Sequence, residues 1–217
     1  MIKSLSFLVS IFAISSVQAA VSLEPVGVSV KTITENGVAV NVTKEAKLHF
    51  GDKTYSVYLS GAGVRQKTIF FIPTKLYIAT SYTDLQEGIS FDDAIGSVKK
   101  SGVRVMQLTM TDNLSAGLAR GSFKEILDYN NIDTKAKAIK DVLDAIKDDL
   151  VAKTVINVVG FSDVASPTGH ELVYAEFGKA PITSEAPNVA LEFWHVWFGN
   201  PKDDELKALK KDLTTKL

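Results

Sequence analysis

The sequence predicts an α+β domain in which an antiparallel sheet is covered by helices. Three observations point there. Hydrophobic residues alternate on both sides of Asn36-Gly37, with Val28, Val30 and Ile33 before it and Val38, Val40 and Val42 after it. Asn-Gly between alternating runs marks a tight hairpin. Between Thr134 and Val151 the period changes, and Ile139, Val142, Leu143, Ile146 and Leu150 fall on one helical face. From Pro187 to Phe198 nearly every position is apolar, Phe193, Trp194, Trp197 and Phe198 among them, as in a helix buried on all sides.

The other elements follow in chain order. Residues 1–19 read as a secretory signal peptide, with Lys3 as the positive start, Leu5–Ile14 as a short apolar core and a cut after Ala19. That core is shorter than the roughly 20 residues a bilayer span needs, and no later segment is apolar enough to cross. Residues 20–217 are expected to be one exported, periplasmic domain. After the first hairpin, His49–Leu59 and Lys67–Tyr82 read as a second strand pair, with Pro73 at a turn or bulge because it cannot donate to a ladder. Ser90-Phe91-Asp92-Asp93 resembles a capping box opening a short helix towards Lys100. Val103–Met110 alternates as a strand, and Asn113–Asn130 reads as a helix through Leu114, Leu118, Ile126 and Leu127. Val155–Phe161 and Glu171–Phe177 read as strands. Gly199 fits the position after the aromatic helix, and Asn200-Pro201 would cap a last charged helix with Asp203 and Asp204 in its first turn.

Composition excludes several functions. There are no cysteines, so neither disulfides nor thiolate metal sites can form. With 24 basic and 25 acidic residues the chain lacks the basic surplus that nucleic acid requires. His49, His170 and His195 are far apart and show no metal-ligand spacing, so neither metal nor cofactor is expected. Gly-x-Ser-x-Gly is absent. The pairs Asp92-Asp93, Asp148-Asp149 and Asp203-Asp204 stand where helices begin or on charged faces, as caps or solvated charges.

The most informative stretch is Gly61-Ala62-Gly63-Val64-Arg65. It lies between the alternating run Thr54–Leu59 and the apolar run Ile69-Phe70-Phe71-Ile72, both of which read as buried sheet. Two glycines permit a tight or bulged backbone where a strand ends or bends. A dinucleotide loop is excluded, since the third glycine is missing and no helix follows. Only Arg65, Arg104 and Arg120 are arginines in a lysine-rich chain, so an arginine among apolar residues is there for its planar fork. By residue type, Arg65 fits an anion site and an internal salt bridge equally well. Of the aromatic run, Trp197 and its neighbour Val196 are candidates to line a ligand pocket, the alternative being that the run is core.

The string Gly61–Arg65, followed by Lys75-Leu76-Tyr77-Ile78-Ala79-Thr80-Ser81-Tyr82, resembles the chalcone isomerase superfamily. The tail agrees: Ala190-Leu191 through Trp197-Phe198-Gly199-Asn200-Pro201, then Leu206 and Leu209, is similar to that superfamily's C-terminal helices. The resemblance is closer to bacterial exported members than to the plant enzymes. It implies an open-faced β-sandwich with a cleft between a large antiparallel sheet and a helical layer. It also implies that Arg65 faces the cleft, where the plant enzymes polarise a substrate for ring closure and fatty-acid-binding relatives meet a lipid carboxylate. Two catalytic hydroxyls of the enzymes do not carry over: Tyr77 and Val196 stand in their places. Tyr129 and Asn130 are the nearest residue types to the family's mid-chain tyrosine and asparagine.

These readings leave three functions open. The first is a non-catalytic binding protein for a small apolar or amphipathic carboxylate, with Arg65 on its head group and Tyr77, Val196 and Trp197 as further contacts. The second is an isomerase of the chalcone–flavanone type using Arg65 as electrophile. The third is a structural or partner-binding protein in which Arg65 is an internal salt bridge.

Overall fold

The computed structural model describes residues 21–69, 71–178 and 180–217, and the expected signal peptide lies outside them. Among the described residues, eight strands form one antiparallel sheet in sequence order: β1 (Val21–Glu35), β2 (Val38–Phe50), β3 (Lys53–Ile69), β4 (Ile72–Thr83), β5 (Val103–Met110), β6 (Val155–Phe161), β7 (Leu172–Ala175) and β8 (Ile182–Glu185). The same residues hold five helices: α1 (Ala94–Lys100), α2 (Ala116–Tyr129), α3 (Lys137–Asp144), α4 (Val189–Phe198) and α5 (Asp204–Leu213).

Alternation sends apolar side chains to both faces of the sheet. On one face Leu76, Ala79, Met106, Leu108, Met110, Ile156 and Val158 pack under the helices. On the other, the long strands β2 and β3 bend back over the middle of the sheet. Phe50 meets Phe161 at 4.9 Å and Tyr174 at 5.6 Å between ring centres, and the Tyr82 hydroxyl donates to the Thr43 carbonyl at 3.3 Å. The result is the expected open-faced sandwich. Among the described residues no helix is long and apolar enough to cross a membrane.

The first hairpin turns at Asn36 and Gly37, with φ of 49° and 74°, the left-handed pair that a two-residue turn demands. The second strand pair differs from expectation. β3 does not end at Gly61–Gly63 but runs through Arg65 to Ile69, which pairs with Ile72. Of the run expected to be buried sheet, Ile69 is partly buried, Phe71 is 98% and Ile72 65% exposed at the far end of the hairpin, and Phe70 lies outside the described residues.

The helices are shorter than their hydrophobic patterns. α3 stops at Asp144 because Leu150 leaves the helix to pair with Leu114, each amide donating to the other's carbonyl at 2.8 Å. Asp93 caps α1 by accepting from the Gly96 amide, Ser115 caps α2, and Asp149 accepts from the Ala116 amide across the chain. These carboxylates act as caps, as expected. Gly199 is extended (φ −69°, ψ −166°), not left-handed. A Cβ there would lie 2.4 Å from Asn130 Oδ1, so close approach explains the glycine. Asn200 does not cap α5. Its amide donates to Asn130 Oδ1 at 2.6 Å, and Asp203 is the cap. The four-residue β8, Ile-Thr-Ser-Glu, has too little alternation to be seen in the sequence.

Candidate functional site

The site is built on the β3–β4 hairpin. Strand periodicity puts Gly61, Gly63 and Arg65 on the helix-covered face, and a register shift between Leu59 and Gly61 separates this row from Leu59, which packs on the other face. α5 lies across this row. A Cβ on Gly61 would come within 2.3 Å of the Asp212 carbonyl oxygen, and one on Gly63 within 2.5 Å of Asp212 Cβ. The two glycines therefore seat the C-terminal end of α5 directly on the strand. Four residues of strand span about 13 Å and ten of helix about 15 Å, so the N-terminus of α5 falls over Arg65. Gly-x-Gly-x-Arg is the footprint of α5 on the sheet.

Asp203 closes that contact. Its Oδ1 accepts from the Leu206 amide at 2.6 Å, capping α5, and from Arg65 Nη1 at 3.1 Å, while Oδ2 accepts from Arg65 Nη2 at 3.1 Å. Arg65 Nη1 also donates to the Gln66 carbonyl at 2.7 Å, next to a second register shift that redirects the strand. Partial burial acts to raise the Asp203 pKa. The Arg65 fork, the Leu206 amide and the charges of Arg65 and Lys67 outweigh it and hold the carboxyl below its ordinary value. Arg65 is almost fully buried while Asp203 is one-third exposed. Three of the five guanidinium N–H donors meet these partners.

Beside the guanidinium opens a cavity enclosed by β3, β4, β5 and α2. Arg65 and Ser122 are polar on its wall; Leu76, Leu108, Met110, Phe123 and Ile126 are apolar, and Tyr77 presents its phenol. Counting its mouth the space is about 390 Å³, but the room left for a water-sized sphere is about 20 Å³, enough for one water. α2 forms the lid, and Lys67 Nζ donates to Ser122 Oγ at 2.8 Å to tie it to β3.

Tyr77 stands opposite Arg65 in the β3–β4 register. Burial raises its pKa, against the opposing pull of Arg65 and Trp197 and with a further push from Asp203, so it is a neutral phenol. The Trp197 indole N–H turns towards that hydroxyl without reaching hydrogen-bonding geometry, and remains a buried donor with no acceptor.

Of the four residues expected at the site, Arg65 and Tyr77 line the cavity together. Trp197 stands behind the wall, packed edge-on against Phe123 at 6.0 Å between centres and against Phe193 and Trp194. Val196 is buried in the core beneath α4 and is not among the lining residues. Tyr129 is half exposed, and Asn130 joins the end of α2 to Asn200, so neither reaches the cavity. The histidines are apart: His49 meets Thr54 and Glu24, and His195 Nδ1 meets the Leu191 carbonyl on its own helix. Burial lowers the His195 pKa, with the carbonyls of Leu191 and Glu192 opposing.

No family model matches the chain, and no curated protein matches it. Among solved structures, the Arabidopsis thaliana fatty-acid binding protein AtFAP1 aligns with a TM-score of 0.51 at 13% identity, over 85% of this chain and 99% of that one. The fold is chalcone isomerase-like.

Within that fold, sequence reasoning missed Asp203 as the partner of Arg65 and α2 as the lid. Asp203 carried a signal: an aspartate three residues before Leu206, ahead of an amphipathic run, is a helix cap. Ala119, Ser122, Phe123 and Ile126 carried only helical periodicity, which shows that a face is buried but not that it covers a cavity.

Proposed function

We propose that this chain is an exported, periplasmic, non-catalytic protein that binds a small amphipathic carboxylate such as a fatty acid. The head group lies at Arg65 and the tail between the sheet and α2. The observation that carries this reading is an apolar cavity with a buried guanidinium at its edge. A carboxylate on the remaining Arg65 donors would make charge-assisted bonds contributing about 1.5–3 kcal/mol. Each methylene buried beyond them adds about 0.8 kcal/mol before ordering costs. The tail thus dominates affinity while Arg65 sets orientation. The printed name of the structural neighbour, a fatty-acid binding protein, supports the ligand class, and the Lys3–Ala19 pattern supports export.

Room for one water will not hold an acyl chain, so binding requires α2 to part from β4 and β5. Native mass spectrometry and titration with saturated fatty acids test this. One-to-one binding is expected, and Ala119→Trp, which fills the cavity from α2, is expected to abolish it while the chain stays folded. No binding by the unaltered chain, or equal binding by Ala119→Trp, would sink the proposal.

A second reading has its own support. The two-pronged Asp203 contact makes Arg65 a strut between β3 and α5 without any ligand. It predicts that Arg65 variants lose stability and nothing else.

A further inference from the structure

We propose that Asp203 is a built-in competitor for the anion that Arg65 takes. The inference rests on the reading that the cavity receives an amphipathic carboxylate. A guanidinium offers a carboxylate two forks, one end-on through Nη1 and Nη2 and one sideways through Nε and Nη2. Asp203 holds the end-on fork, with both bonds at 3.1 Å. The other Nη1 hydrogen goes to the Gln66 carbonyl at 2.7 Å. Among the described residues the sideways fork is what remains, and a ligand carboxylate there shares Nη2 with Asp203. Two carboxylates then meet on one cation, and like charges in one site resist joint ionisation.

The neighbouring cations are already engaged. Lys67 also helps to hold the Asp203 carboxyl ionised, but its ammonium donates to Ser122 and stands 3.9 Å from Glu125. Lys202, next to Asp203 in the chain, pairs with Glu125 as well. On the first turn of α5 the neighbours are the acidic Asp204 and Glu205, and Tyr77 is a neutral phenol. A second carboxylate therefore acts directly against the Arg65–Asp203 pair.

Asp203 is placed to yield. Its side chain is 33% exposed, against 4% for Arg65. Turned away from Arg65, it keeps the Leu206 amide that Oδ1 accepts at 2.6 Å and meets water on its open side. Arg65 stays buried and needs an acceptor in its place, which the ligand carboxylate supplies. The cap of α5 survives this exchange and the ion pair does not. Occupancy of the cavity thus loosens the N-terminal end of α5 from β3, while the close contact at Gly61 and Gly63 holds its other end.

The test is titration of decanoic acid and of decanol into the unaltered full chain, Asp203→Asn and Asp203→Ser. Asparagine and serine cap a helix about as well as aspartate but carry no charge, so α5 keeps its cap and only the competition is removed. Having two neutral variants keeps the test decisive should one of them misfold. Acid affinity is expected to rise about tenfold in both, the equivalent of one pKa unit of relieved repulsion, with decanol affinity unchanged. Asp203→Glu keeps the charge and should bind the acid no more tightly than the unaltered chain. If the unaltered chain binds the acid and both neutral variants bind it equally or more weakly, this inference alone is overturned. An equal rise for decanol also overturns it, since that would mean a loosened cavity rather than a relieved charge. If no chain binds either compound, the inference fails together with the reading it rests on.

Discussion

Arg65 and Arg104 are both buried on the helix-covered face of the sheet, yet their surroundings differ at every point that bears on binding. Arg65 holds a two-pronged carboxylate that is one-third exposed, and a cavity opens beside it. Arg104 has one good bond, from Nη2 to the Ser101 carbonyl at 3.1 Å, and Glu171 stands 3.7 Å away. Its Nε and Nη1 are buried without partners. Burial lowers the Arg104 pKa, with Glu171 and Asp84 opposing. Opposite Arg104 in the register is Gly160, where a Cβ would meet the Trp194 ring at 2.8 Å, so α4 closes directly on the sheet. A buried arginine is therefore not a site in itself. What makes Arg65 a candidate is a partner that water can still hydrate and space next to the guanidinium.

The comparison can be broken most easily at Arg104. Arg104→Ala should cost about 3–5 kcal/mol, because it leaves a cavity and strips the buried side of Glu171 of its cation. Arg104→Met should recover more than half of that, since methionine refills most of the space that alanine leaves empty, while Glu171 Oε2 in both variants still accepts from the Ala190 and Leu191 amides. Urea unfolding measures both, and equal losses would mean that the charge itself holds this region together.

Next in size is the seating of the two helices. Gly61→Ala meets α5 backbone at 2.3 Å and should cost about 3 kcal/mol, the upper end of overpacking. Gly160→Ala meets a tryptophan side chain and should cost less, since a ring can shift where backbone cannot. The reverse order in thermal midpoints would count against the close seating of α5.

The smallest effect is at the ion pair. Arg65→Met should cost about 1.5–3 kcal/mol, less than Arg104→Ala, because Asp203 stays hydrated and still caps α5. The Asp203 pKa is depressed in the folded chain, so its contribution is fully present above the ordinary carboxylate value near 4 and is lost as pH falls through the folded value. The stability gap between the unaltered chain and Asp203→Asn should therefore narrow below about pH 4. A gap that stays constant through that range would show that Arg65 and Asp203 do not couple.

What the sequence disclosed follows from the range of the signals involved. Asn36-Gly37 and the alternation around it are local, and they placed the first hairpin correctly. The nearly all-apolar run Pro187–Phe198 pointed to a buried helix for the same reason. Gly61–Arg65 read as a tight or bulged backbone where a strand ends or bends; the strand is bulged there but does not end, and the glycines answer to a close approach by an element nearly 150 residues away, at Asp212. The Arg65–Asp203 pair has a separation of 138 residues and left no local trace beyond the cap at Asp203. Phe71 and Ile72 show the opposite failure. Apolar composition predicts burial, and here both are exposed at the end of a hairpin.

The central claim is that Arg65 anchors an anion as well as bracing α5. The direct test is the affinity of a saturated fatty acid against the alcohol of equal chain length, measured by titration on the unaltered chain, Arg65→Met and Arg104→Met. The account predicts that the acid binds about tenfold or more tightly than the alcohol, that Arg65→Met removes this preference while keeping the alcohol affinity, and that Arg104→Met keeps it. An acid preference that survives Arg65→Met would contradict it.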